Sequence, residues 1–105
     1  MLKQLARAFF LSLLTAGTAS FAQSAADVYK TKCQMCHAAD GSGNTPAGKS
    51  LKAPAFSSPE IMKASDADLI AATENGKGKM PAYKGKLTDG QIKDLIAYVR
   101  TLEKQ

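Results

Sequence analysis

The chain has no tryptophan, a single histidine and only two cysteines. No strand-like alternation of any length runs through it, and no segment repeats. The two cysteines, Cys33 and Cys36, are near neighbours, so a disulfide between them would close a tiny loop and tie no distant segments together. The apolar run near the N-terminus, Phe9-Phe10-Leu11 with Leu13 and Leu14, is short and broken by Ser12, Thr15 and Thr18, which argues against a membrane span. Charge is modest: 14 basic and 9 acidic residues leave a net +5. A nucleic-acid binder usually carries a higher charge clustered on one face.

The first residues read as an export signal. Lys3 and Arg7 precede the apolar run, and small residues close it at Ala19-Ser20-Phe21-Ala22. Ser20 and Ala22 stand where a signal peptidase requires small side chains, so cleavage is expected after Ala22. Residues 1–22 are then a cleaved signal peptide and residues 23–105 one small domain. Without Lys3 and Arg7 the domain is only weakly basic. A domain of this size has a marginal apolar core and normally needs a disulfide, metal or cofactor to complete it. The cysteine spacing leaves a large buried cofactor as the better candidate.

Four short helices separated by loops fit the apolar pattern. The first runs from Ala25 to Cys33, capped by Ser24 with Asp27 as its box partner, and carries Ala25, Val28, Tyr29 and Cys33 on one face. Residues 38–56 read as a long loop rich in Gly, Ser, Asn and Pro. So long a loop in so small a domain normally wraps something. A second helix starts at Ser58-Pro59, with proline at its favoured first position. Ser65 caps a third, with Asp68 as box partner, which Gly76 stops. Thr88 and Gln91 open the last, whose stripe of Ile92, Leu95, Ile96, Val99 and Leu102 keeps a helical period.

Within this frame the stretch Cys33-Gln34-Met35-Cys36-His37 is the most informative. Cys-x-x-Cys-His reads as a covalent haem attachment site. Two thiols at this spacing can add to the two vinyl groups on one edge of a haem, and the next residue then offers an imidazole to the iron. Redox dithiols and zinc modules also use Cys-x-x-Cys. The first needs a βαβ setting that is missing here, and the second needs four ligands where the pentapeptide supplies three. A ligating imidazole normally gives its other N–H to an acceptor. Pro46, in the following loop, is the candidate to offer that carbonyl, against the plainer reading that it only stiffens the loop.

A haem iron that carries electrons without binding substrate needs a sixth partner. Met80 is the candidate. It sits in the irregular run Gly76-Lys77-Gly78-Lys79-Met80-Pro81, where Pro81 holds it extended. A thioether ligand favours reduced iron and raises the potential. Met35 lies between the two thiols and is poorly placed to reach the opposite face. Met62 falls in a helical pattern, where methionine is more often core.

With these positions in hand, the chain resembles the class I c-type cytochromes, in particular the short monohaem carriers of bacterial and photosynthetic type. The resemblance covers nearly all of residues 23–105. It implies an all-α cytochrome c fold wrapped around one covalent haem c with its iron, with N- and C-terminal helices crossing. Ala25 and Tyr29 match the family's small and aromatic positions on the first helix, although the family usually has glycine at the former. Leu95 and Tyr98 match the facing positions on the last helix. Leu51, Phe56, Ile61, Leu69, Ile70, Tyr83, Ile96 and Val99 are expected to line the haem pocket, or to be ordinary core. The haem should supply much of the stability, so the apoprotein is expected to be largely unfolded.

The implied activity is one-electron transfer in the periplasm, or in a thylakoid lumen if the source is photosynthetic, with no substrate turnover. The alternatives are a haem-bearing subunit of a larger oxidoreductase and a ligand-binding or peroxidase-like haem protein. Lys77, Lys79, Lys84 and Lys86, with Lys49 and Lys52 near them, form either a solvated face or a positive rim around the haem edge. Such a rim steers acidic redox partners, donor and acceptor, into brief encounters. No nucleic acid, no membrane insertion after cleavage and a monomeric state complete the expectation.

Overall fold

A computed structural model describes residues 24–103, so the signal segment expected at residues 1–22 lies outside the described residues. Among the described residues the chain is helical and contains no strand. Six helices follow one another: α1 (Ala25–Lys32), α2 (Gln34–His37), α3 (Pro46–Leu51), α4 (Pro59–Lys63), α5 (Asp66–Asn75) and α6 (Asp89–Leu102).

Four of these are the expected ones, and their starts follow local chemistry. The Ser24 hydroxyl accepts from Asp27 N–H at 3.2 Å and the Ser65 hydroxyl from Asp68 N–H at 3.1 Å. Each satisfies one of the orphan donors of a first turn. The reciprocal half of the expected boxes is not made at Ser24 or Ser65, because Asp is one methylene shorter than the Glu or Gln that reaches back. Thr88 and Gln91 do form the full box, at 3.1 and 2.9 Å.

Two helices add to the four expected, and one of them, α3, corrects the loop reading. The haem-motif residues themselves make one helical turn, α2, with His37 N–H bonded to Cys33 O at 3.0 Å and Ala38 N–H to Gln34 O at 2.9 Å. Inside the long 38–56 segment, Thr45 caps α3, whose first position is Pro46, and Lys52 closes it in the left-handed region. The cap-proline signal is the same one that marks α4. Its short length and flanking glycines hid it.

The core sits where α1 packs on α6. Val28 and Tyr29 from α1 meet Ile92, Leu95, Val99 and Leu102 from α6, with Phe56 and Leu87 beside them. Tyr29 and Tyr98 lie with ring centroids 5.2 Å apart at the crossing. Ile92 is fully buried; burying a side chain of that size contributes roughly 1.5–3 kcal/mol.

Arg100 ties the far end of α6 to α4 and α5. Its guanidinium donates to Ile61 O at 3.1 Å, Ala64 O at 2.6 Å, Asp66 at 2.9 Å and Glu103 at 2.6 Å. Two of these acceptors are carbonyls at the C-terminal end of α4: Ile61 O, which also accepts Ala64 N–H at 3.2 Å, and Ala64 O. The contact sets α4 and α5 opposite α1, and a cavity opens between them.

Candidate functional site

The cavity has a volume of about 510 Å³, in the range of small-molecule and cofactor sites. One wall is the motif: Cys33, Cys36 and His37. Another is the segment carrying Met80 and Tyr83. The floor comes from Leu95, Ile96 and Val99 of α6, and α4 and α5 contribute Ile61 and Leu69.

Both thiols are free and half-buried. Burial pushes the Cys33 thiol up to about 11, with the nearby Lys32 ammonium opposing. A thiol held protonated at neutral pH lacks the depressed pKa of a redox dithiol. Among the described residues no three His, Cys, Asp or Glu side chains are grouped to hold a metal ion.

The His37 imidazole is held from one side by Phe56, its ring stacked at a centroid distance of 4.7 Å and an interplanar angle of 25°. Burial pushes its pKa down, which keeps the imidazole neutral and able to ligate. Its Nδ1 is buried and has no hydrogen-bond partner. The bond expected from Nδ1 to the Pro46 carbonyl is thus not formed. Pro46 opens α3 and lies outside the cavity wall, whereas Pro54 lines it. A loop of this length offers two prolines, and only the turn of α3 decides which one lines the cavity.

The backbone around the motif is pinned from α3. The Thr45 hydroxyl donates to Met35 O at 2.7 Å and accepts from Gly48 N–H at 2.8 Å. A Cβ on Gly48 would stand 2.2 Å from Cys36 O and 2.3 Å from Gly43 O, so only glycine lets α3 approach α2 this closely. On the other side the Tyr29 hydroxyl donates to Ala38 O at 2.5 Å.

Three comparisons bear on what such a cavity holds. Residues 20–99 match the family model described as "Cytochrome C oxidase, cbb3-type, subunit III". Cytochrome c6 of Thermostichus vulcanus is 38% identical over 96 residues, covering 90% of this chain and 82% of that protein. The solved KustC0563 c-type cytochrome superposes with a TM-score of 0.69 at 32% identity, over 76% of this chain and 98% of that one. The chain belongs to the class I c-type cytochromes.

As a c-type cytochrome it binds one covalent haem c with its iron and belongs to electron transport. The cavity fits that group: two thiols and a neutral imidazole stand on one wall, a thioether lies on another, and most of the rest is apolar. The subunit CcoP of a cbb3-type oxidase from Azospirillum brasilense is 33% identical over 90% of this chain, which spans only 33% of that longer protein.

Most of the residues expected at the haem pocket of this cytochrome do line the cavity: Leu51, Phe56, Ile61, Leu69, Tyr83, Ile96 and Val99, with Tyr29 and Leu95 from the helix crossing. Ile70 does not; it packs against the core cluster instead. Tyr98 also stays outside the cavity and packs at the crossing. Met35 and Met62 are exposed and do not line it. Among the lysines, Lys52, Lys77 and Lys79 stand at the cavity, and Lys49, Lys84 and Lys86 do not. Lys86 lies over the ring of Tyr83. Lys32 joins the rim, a position that its place on the first helix concealed. Lys77 pairs with Glu60 across the cavity edge at 3.7 Å. Both side chains are exposed, so the pair contributes little to stability.

Proposed function

We propose that this cytochrome is a periplasmic one-electron carrier. Cys33 and Cys36 hold the haem as thioethers, and His37 and Met80 are its axial ligands. The observation that carries the reading is the sharing of one cavity by His37 and Met80, two residues far apart in sequence. His37 is half-buried, and the burial holds its pKa down so that the imidazole is neutral, as a nitrogen ligand must be. Met80 is the methionine that lines the cavity, where Met35 and Met62 do not. A bound haem of this type supplies a single-electron iron couple, poised to a positive potential by the methionine sulfur. His37 and Met80 would hold the iron between them and leave no position for substrate, and the apolar side chains of the cavity would surround the ring.

Export follows from residues 1–22 acting as a cleaved signal peptide, leaving 23–105 as the mature monohaem domain. Among the described residues no helix is long and apolar enough to cross a membrane. The lysines at the cavity rim steer acidic redox partners into brief, salt-sensitive encounters, and the protein works as a monomer.

The test is a visible spectrum of the purified protein, oxidised and reduced, with a pyridine assay for covalent haem. Met80→Ala should abolish the far-red sulfur-to-iron band, and carbon monoxide should bind the reduced native protein poorly. An unchanged band in the variant refutes the axial assignment. Ready carbon monoxide binding would favour a ligand-binding or peroxidase-like protein instead.

A second reading, a haem-bearing subunit of a larger oxidoreductase, has support in the match to the cbb3-type subunit. Co-purification at fixed stoichiometry with a larger periplasmic assembly would favour it.

A further inference from the structure

The turn that carries Met80 is bonded mainly to itself. Met80 N–H donates to Lys77 O at 3.0 Å and Lys77 N–H to Met80 O at 3.3 Å. Upstream, Gly76 adopts a positive φ at the end of α5. Downstream the chain is anchored again at Tyr83, whose N–H donates to Thr73 O at 2.9 Å and whose carbonyl accepts from Lys86 N–H and Leu87 N–H. Lys84 N–H adds a bond to Glu74 O at 3.0 Å. All these bonds hold the segment to α5 and to itself.

The Tyr83 side chain crosses to the other wall. Its ring lines the cavity, and its hydroxyl donates to Lys32 O at 3.1 Å across 51 residues of sequence. Lys32 is the last residue of α1 and directly precedes Cys33. Among the described residues, no other hydrogen bond joins residues 76–87 to residues 25–37. The wall bearing Met80 is thus tied to the wall bearing the motif through one phenol.

We propose that the Tyr83 hydroxyl is a positioning group that latches the Met80 segment to the end of α1 and sets how readily the sixth position opens to an outside ligand. The inference rests on the axial role proposed for Met80. With the latch made, displacement of the sulfur requires the turn to swing away from a fixed hinge. With it gone, the turn keeps only its anchors on α5 and opens more often. A net hydrogen bond of ordinary strength corresponds to an opening equilibrium shifted about two- to tenfold.

The experiment uses the exported haem-loaded protein and its Tyr83→Phe variant, which keeps the ring and removes only the hydroxyl. Imidazole is titrated into the oxidised protein, and loss of the far-red band gives its affinity. Denaturant unfolding is followed in parallel. The variant is expected to retain covalent haem and to bind imidazole about two- to tenfold more tightly. An imidazole affinity equal to that of the native protein overturns the latch, even where the denaturation midpoint falls, since that pattern marks a merely structural bond. Met80→Ala separates the two claims. A far-red band that persists in Met80→Ala refutes the axial role, and the latch with it. A band lost there, alongside unchanged imidazole affinity in Tyr83→Phe, refutes the latch alone.

Discussion

Phe56 stacks on His37 with ring centroids 4.7 Å apart, and nothing in the spacing of these two residues announces the contact. The Phe56 ring is buried and is wedged from behind by Gly41, where a Cβ would stand 2.5 Å from Cδ2. Phe56 N–H also bonds Gly41 O at 2.9 Å. The aromatic ring thus packs against Gly41 and against the imidazole at once.

Truncating that ring should be costly. Phe56→Ala is expected to lower stability by about 3–5 kcal/mol, the usual range for emptying a buried aromatic site. Phe56→Leu should cost clearly less because it refills most of the volume. Guanidinium unfolding of the haem-loaded variants checks this; a loss under about 1 kcal/mol for the alanine variant would show that the ring does not support the site.

Ala38 offers a change in the opposite direction. It follows His37 with φ 65° and ψ 163°, a backbone region that is essentially reserved for glycine. Holding an alanine there costs about 1–3 kcal/mol, and glycine gives back less than that through its extra freedom when unfolded. Ala38→Gly should raise the denaturation midpoint by about 1 kcal/mol of stability with an unchanged slope. A lower midpoint would mean that the strain is absent.

Alkaline pH should weaken the fold through two phenols, the buried Tyr29 and the half-buried Tyr83. Burial is the largest cause that pushes the Tyr29 hydroxyl well above its ordinary value near 10, and burial also raises Tyr83. A group whose folded pKa is raised contributes stability that is complete below its unfolded pKa and is lost as pH rises toward the folded value. Stability should hold to about pH 10 and fall above it. Tyr29→Phe should be less stable at neutral pH, having lost the bond to Ala38 O, yet show a flatter decline between pH 10 and 11.5. An equally steep decline in the variant would assign the loss to other groups.

Arg100 gives the fourth prediction. Its head reaches two main-chain carbonyls and two carboxylates at once, which a planar fork can do and an ammonium cannot. Arg100→Ala should cost about 2 kcal/mol, and Arg100→Lys should recover only a part. Because Ile61 and Ala64 belong to the cavity wall, the far-red band should also be lost at lower denaturant than in the native protein. Full recovery by lysine would reduce the role to simple charge.

How far the sequence reached follows from how local each signal is. Helix starts at Ser24, Ser65 and Thr88 depend on atoms three residues apart, and the stripe from Ile92 to Leu102 repeats with every turn. The motif from Cys33 to His37 is likewise contiguous, and Met80 was marked by an irregular, proline-followed segment. Such features are written in neighbouring residues, so the all-helical class and the haem are legible in the sequence itself. The short helix α3 was not, because six residues between glycines carry too little apolar period to be seen. The choice of Pro54 over Pro46 at the cavity, the Phe56 stack on His37, the reach of Arg100 to α4 and the Tyr83 bond to Lys32 were decided only by the tertiary structure. Each joins segments whose separation depends on how the helices pack, and packing is a property of the whole chain rather than of any window along it.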